Sequence, residues 1–205
     1  MIIDTLEALE EIYPQKPSAA ATRKVADRLT PEYRRWILAA RFLVLTTVGP
    51  EGTDGSPRGD DGPVVTDLDE KTLLLPDWRG NNRIDSLRNI VRDPRVSLMF
   101  MVPGSANVVR LNGRAQVSVD PDLLRRFERK EGQPRSVIVI EIAEIYTQCA
   151  RASIRAGRWT SDDESGRLPS VGEILKAMTA GEIDGATYDA QWAERAAQTM
   201  WVDEG

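Results

Sequence analysis

Between residues 41 and 146, short apolar and β-branched segments alternate with turn signals, and one helical pattern interrupts them. This alternation limits the fold more than any other feature of the chain. Residues 41–48 (RFLVLTTV) read as a strand, and Gly49-Pro50-Glu51-Gly52 as a turn. Residues 53–62 (TDGSPRGDDG) are almost wholly polar, carry three Gly and one Pro, and read as a loop. Residues 63–68 and 72–75 form two short strands around Asp69-Glu70-Lys71. Residues 77–82 break the pattern. A helix over 83–92 carries Ile84, Leu87, Ile90 and Val91 on one side, and Asp93-Pro94 stops it. Strands at 95–102 and 107–119 flank Pro103-Gly104-Ser105. Asp120-Pro121 caps a helix reaching about residue 130, and 136–146 is the last strand. Six strands with meander spacing and no βα repeat exclude a doubly wound nucleotide fold. The expected architecture is mainly β: a six-stranded antiparallel barrel, closed to remove its edges, with peripheral helices.

Helical patterns lie on both sides of these strands. Residues 1–40 read as N-terminal helices, with Leu6, Leu9 and Ile12 at helical spacing and Thr30-Pro31-Glu32 as a second start signal. Tyr33, Trp36, Ile37 and Ala40 fall on one face of the helix that follows. The core spans 41–147, and 148–205 is a helical extension of the same domain. That extension contains the capping box Ser170-Val171-Gly172-Glu173 and a helix over 184–200.

Composition removes whole reaction classes. The 205 residues include no His, so a Ser-His-Asp triad, a His-ligated metal and an imidazole base are impossible. A single Cys, Cys149, excludes an intrachain disulfide or a cysteine-ligated cluster; beside a strand end it reads as a small buried hydrophobe. Redox chemistry would have to come from a bound cofactor. A net charge of −5 argues against nucleic acid. Acidic residues directly after Met1-Ile2-Ile3, together with apolar runs of strand length only, point to a cytoplasmic chain with no membrane partner.

Four clusters could carry chemistry. Gly80-Asn81-Asn82-Arg83, with Arg79 before it, puts guanidinium groups and free N–H groups at a helix start, which suits a phosphate; an Asn-capped surface helix fits the same residues. In 107–117, alternation puts Val109, Leu111, Gly113, Ala115 and Val117 on one face and Arg110, Asn112 and Arg114 on the other. That second face reads either as a site for an anion or an acidic partner, or as a solvated outer surface. Residues 56–62 (SPRGDDG) read as a ligand-contacting loop. Trp159, preceded by Arg151, Arg155 and Arg158, could cover a flat ring or pack the tail onto the body.

Taken in order, "SPRGD", "LLLPDWRGNNRIDSLRNI", "DPRVSLMFMVPG", "VVRLNGRAQV" and "QCARASIRAGRW" resemble the FMN-binding split β-barrel family related to pyridoxamine 5′-phosphate oxidase, and most closely its bacterial branch carrying the GNNR segment. The resemblance covers about residues 30–200. It implies a homodimer with FMN in two clefts at the subunit interface. It implies that Asn81, Asn82 and Arg83 cradle the phosphate, with Arg79 beside them, and that Arg58, Gly59, Pro76 and Asp77 line the cofactor. Arg110 and Arg114 would add positive charge from one or the other subunit, and Arg155 and Trp159 would reach or close the cleft. Two features depart from the family pattern. The Arg-Leu-His-Asp-Arg-like motif that binds the vitamin B6 phosphate is absent, and Gln148 stands where close relatives have His.

These observations lead to an FMN-dependent oxidoreductase acting on an unidentified small molecule, and not a true pyridoxamine phosphate oxidase. The alternative is a non-catalytic protein that binds or sequesters flavin or a related ligand.

Overall fold

In the computed structural model, which describes residues 2–130 and 132–199, three short helices lead into the sheet: α1 (Leu6–Ile12), α2 (Ala19–Arg23) and α3 (Pro31–Leu38). There follow β1 (Phe42–Gly49), β2 (Gly52–Gly59), β3 (Thr66–Asp67), β4 (Thr72–Asp77), α4 (Asp85–Arg92), β5 (Arg95–Met101), β6 (Val108–Ser118), α5 (Pro121–Arg125) and β7 (Ser136–Gln148). Four helices complete the described chain: α6 (Arg151–Arg155), α7 (Val171–Met178), α8 (Gly185–Ala190) and α9 (Trp192–Thr199). The strands form one antiparallel sheet in the order β2-β1-β5-β6-β7-β4-β3.

The sheet is strongly curled. β2 and β4 are five steps apart, which at about 4.8 Å per step would separate them by about 24 Å in a flat sheet. Yet Arg58 on β2 and Asp77 on β4 meet at 2.6 Å. Curling brings the inward rows of β1, β5, β6, β7 and β4 into one core, among them Leu43, Leu45, Leu98, Phe100, Val109, Leu111, Ile138 and Ile140, all fully buried. From α3, Ile37 enters this core with Tyr33 and Trp36 packed beside it, as their helical spacing predicts. The capping boxes or N-caps expected at Thr30, Asp120 and Ser170 are present.

Several expectations are corrected. The sheet has seven strands among the described residues, because the polar segment read as a loop forms β2, paired along its whole length with β1. No backbone ladder joins β2 to β3 or β4 among the described residues, so side chains rather than strand pairing bridge this seam. The strand expected over 63–68 shrinks to β3, although Val64 and Val65 are buried and Val64 N donates to Ala40 O. α4 begins two residues later than predicted, and its Ile84 and Val91 are exposed while Ser86 and Ile90 are buried. α5 ends at Arg125 rather than near 130. The helix expected over 184–200 is two helices, α8 and α9, and its predicted end at Met200 lies outside the described residues. Cys149 is exposed, not buried; its Sγ accepts from Arg151 N at 3.5 Å.

On β6 the alternation holds. Val109, Leu111, Gly113 and Ala115 face the core. A register shift at Asn112/Gly113 passes over Ala143 of β7 and accentuates the bend there.

Candidate functional site

The seam between β2 and β4 opens into a cavity of about 200 Å³. Its apolar wall is Val64, Leu75, Pro76 and Trp78; Arg58, Asp60 and Arg79 supply its charged groups, and Gly59 and Gly80 leave room at the edge. Strand geometry explains the placement. Pro76 and Asp77 end β4 opposite Val137 and Ser136, while Arg58 and Gly59 end β2 opposite Leu43 and Phe42. A Pro near the end of β4 fits its position beside the irregular segment that follows.

Two ion pairs span this region. Arg58 Nη1 donates to Asp77 Oδ1, with side chains 21% and 15% exposed. Arg58 Nε is buried and has no hydrogen-bond partner. An unmet buried donor costs on the order of 1–3 kcal/mol, so this atom is poised for an acceptor. The second pair joins Asp60 to Arg129, which lies between α5 and β7: Nη2 donates to both carboxylate oxygens at 3.1 Å, and Nη1 lies 3.6 Å from Asp61. The Asp60 side chain is only 3% exposed. Burial, and then the Asp61 hydrogen bond, push its carboxyl above the ordinary range against the opposing pull of Arg129. The Arg129 guanidinium also lies 5.0 Å from the centre of the Trp78 ring.

Beyond the cavity the chain turns through residues 78–84. Asn82 adopts a left-handed conformation (φ 60°), which Asn tolerates better than most residues. Its Oδ1 accepts from Arg135 Nη1 at 2.8 Å, and Asn81 Oδ1 accepts from Arg83 N at 3.0 Å. Arg83 lies outside α4, 79% exposed and paired with Asp85 at 2.9 Å. Ile84 is the N-cap and makes no side-chain cap, so the first N–H groups of α4 lack side-chain acceptors.

Of the predicted residues, Arg58, Gly59, Pro76 and Arg79 line the cavity; Asp77 is bonded to Arg58, and Asn81, Asn82 and Arg83 follow on the adjoining loop. Four others lie elsewhere in this chain. Arg110 stands over Tyr146 and donates to Gln148. Arg114 lines a separate hollow with Glu141 and Lys71. Trp159 donates to Ser105 O at 2.8 Å with Arg158 stacked on it, tying the tail to the β5–β6 turn, and Arg155 is exposed at the end of α6. Asp60 lies in the 56–62 segment read from sequence as a ligand-contacting loop, but its partner Arg129, and Trp78 and Arg135 as neighbours of the site, are not singled out by the sequence. The pairing of Asp60 with Arg129 spans 69 residues and has no local signature.

No curated protein matches the chain. Among solved structures it is similar to HupZ of Group A Streptococcus (17% identity over 58% of this chain and 93% of that one, TM-score 0.48). It is also similar to an FMN-binding protein from Syntrophomonas wolfei (12%, 70% and 97%, TM-score 0.45) and to the FAD binding protein from Mycobacterium smegmatis (13%, 60% and 97%, TM-score 0.41). The model of the family described as pyridoxamine 5′-phosphate oxidase matches residues 29–149, which takes in the whole sheet, the seam cavity and the loop behind it. Over more than half of its length, then, this chain belongs to the pyridoxamine 5′-phosphate oxidase family.

Proposed function

We propose that the chain is an FMN-dependent oxidoreductase acting on a small molecule, as a homodimer whose second copy completes the flavin site. The observation that carries this reading is the seam cavity, with an apolar wall, a buried guanidinium nitrogen lacking an acceptor, and an arginine-bearing loop at its edge. These features fit the parts of FMN. A flat ring system needs apolar walls, its carbonyl-bearing edge needs donors such as Arg58 Nε, and its phosphate needs cations and N–H groups such as those at Arg79, Arg83 and the start of α4.

Size supports a second copy. The cavity of about 200 Å³ is smaller than the roughly 300–1,000 Å³ typical of pockets for drug-sized ligands. One chain therefore offers part of a site. Arg110, Arg114, Arg155 and Trp159, which do not line the cavity here, are available to the other copy's site.

When bound, the flavin supplies hydride or electron transfer at its ring. The chain's own residues hold and orient it. Arg58 is kept in place by Asp77, Arg129 is kept against Trp78 by Asp60 and Asp61, and Asn82 fixes the loop through Arg135. No histidine is needed for any of these roles.

The test is the visible spectrum of the purified protein, with the released cofactor identified and the bound flavin exposed anaerobically to a reduced nicotinamide. A flavin spectrum with FMN released and turnover with a hydride donor are expected. A colourless protein that takes up no FMN contradicts the reading, whereas tight FMN that no donor reduces favours a carrier.

A further inference from the structure

The seam cavity has one carboxylate in its lining, and that carboxylate is almost wholly buried. The chain has no His, and the charged residues lining the cavity are Arg58, Asp60 and Arg79. Guanidinium groups stay protonated in water across the physiological range, so they do not serve as proton acceptors. Asp77 is bonded to Arg58, and the single Cys stands at the far end of β7. Asp60 is left, with its carboxylate almost wholly withdrawn from water.

We propose that Asp60 is the proton-accepting residue of this cavity: its carboxylate takes a proton from water when a bound flavin ring is reduced and returns it when the ring is reoxidised. The proposal rests on the flavin reading above. A two-electron reductant that delivers a hydride adds two electrons and one proton to the ring, leaving it with one more negative charge. Beside a desolvated carboxylate, that charge is repelled far more strongly than it would be in water. Protonation of Asp60 removes the repulsion. The balance is one hydride from the reductant to the ring and one proton from solvent to an Asp60 oxygen; when a two-electron hydride acceptor takes the hydride from the ring, Asp60 returns its proton to solvent.

The surroundings suit both charge states. Asp60 is met by Arg129 from the α5–β7 segment and by Asp61 from its own loop; Arg58 on β2 and Arg79 beyond the end of β4 share the cavity lining with it, and Asp77 is held by Arg58. As a carboxylate, Asp60 is held by Arg129 Nη2 through both oxygens. Once protonated it gives up that attraction, but Arg129 stays anchored by Asp61 and by the Trp78 ring. Burial and the Asp61 contact both favour the protonated form, so added negative charge acts on a group already biased towards binding a proton.

The experiment is spectroelectrochemical titration of the FMN-loaded protein between pH 5 and 9, for the wild type and Asp60→Asn. The wild-type midpoint potential is expected to fall with pH and change slope within this range. The Asn variant, which lacks the negative charge, is expected to have a higher potential and to lose the Asp60 contribution to the slope change, keeping only that of the ring's own ionisation. Reduced-minus-oxidised infrared spectra of the wild type give a readout that does not depend on the variant's folding. A protonated-carboxyl C=O band should appear on reduction and shift when aspartate is carbon-13 labelled. Identical pH profiles in the two proteins, or no such band, overturn the proposal while the bound flavin upholds the reading beneath it. A wild type that takes up no FMN overturns both.

Discussion

Arg83 carries the sharpest residue-scale prediction. Its ion pair with Asp85 is highly exposed, and such pairs contribute about 0–1 kcal/mol, so it can exchange Asp85 for a phosphate at little cost. A charge-assisted hydrogen bond contributes about 1.5–3 kcal/mol, and each ~1.4 kcal/mol is a factor of ten. Arg83→Ala is therefore expected to weaken FMN binding about tenfold to a hundredfold, and Arg83→Lys should restore only part because it loses the planar fork. Riboflavin, which lacks the phosphate, should bind the wild type more weakly and be indifferent to the substitution. Equal weakening of both ligands in titration calorimetry would mean that Arg83 acts through the fold. Arg58 and Asp77 differ from it in being mostly buried. Truncating either leaves its partner's charge in the seam, at a cost of about 1–3 kcal/mol. Denaturant unfolding of Arg58→Met, Asp77→Ala and the double variant should show the double to be less destabilised than the sum of the singles.

At the scale of elements, Gly113 tests the bend in β6 and β7. A Cβ there would lie 2.1 Å from Glu141 O, and a main-chain atom in a central strand has nowhere to move. Gly113→Ala should therefore destabilise the protein by about 1–3 kcal/mol. Gly62→Ala, where a Cβ meets nothing within 4 Å, should be close to neutral. Thermal melts of the two variants separate steric crowding from a general effect of replacing glycine. β6 buries the row that its alternation predicts, and β1, β5 and β7 form where their apolar and β-branched runs place strands. β2 was not legible in advance, because Gly52–Gly59 has no apolar row to read. It is extended because β1 supplies its hydrogen bonds at the sheet edge, a tertiary effect that overrides poor strand propensity. The late start of α4 has a similar cause. Ile84 and Val91 look like core residues by spacing, yet the buried face is fixed by Ser86 bonding Asp54 and Asn89 bonding Thr47 on the β1–β2 hairpin. For the site, the 79–83 segment is legible from its helix-start chemistry and Arg58 from its polar Gly-rich segment, while Pro76 comes only from the family resemblance. The pairing of Asp60 with Arg129 is not legible, since only the curl of the sheet brings those segments together.

On the scale of the whole molecule, the curled sheet stays open along one seam, and the candidate site lies on that seam. The seam that β2 and β4 leave without a backbone ladder is also where the cavity opens, so side chains at one place both bridge the sheet and line the cavity. We propose that the chain does not carry out the vitamin B6 reaction: its 205 residues include no Arg-Leu-His-Asp-Arg-like motif and no His. Purified protein should not oxidise pyridoxamine or pyridoxine phosphate appreciably in an oxygen-uptake assay, and turnover comparable with a true family oxidase would refute this.

The claim that one chain holds only part of a flavin site is tested most directly by light scattering coupled to absorbance on the FMN-saturated protein. A particle of twice the chain mass carrying two FMN is expected. A monomer that retains one full equivalent of FMN, or a dimer that binds none, would contradict it.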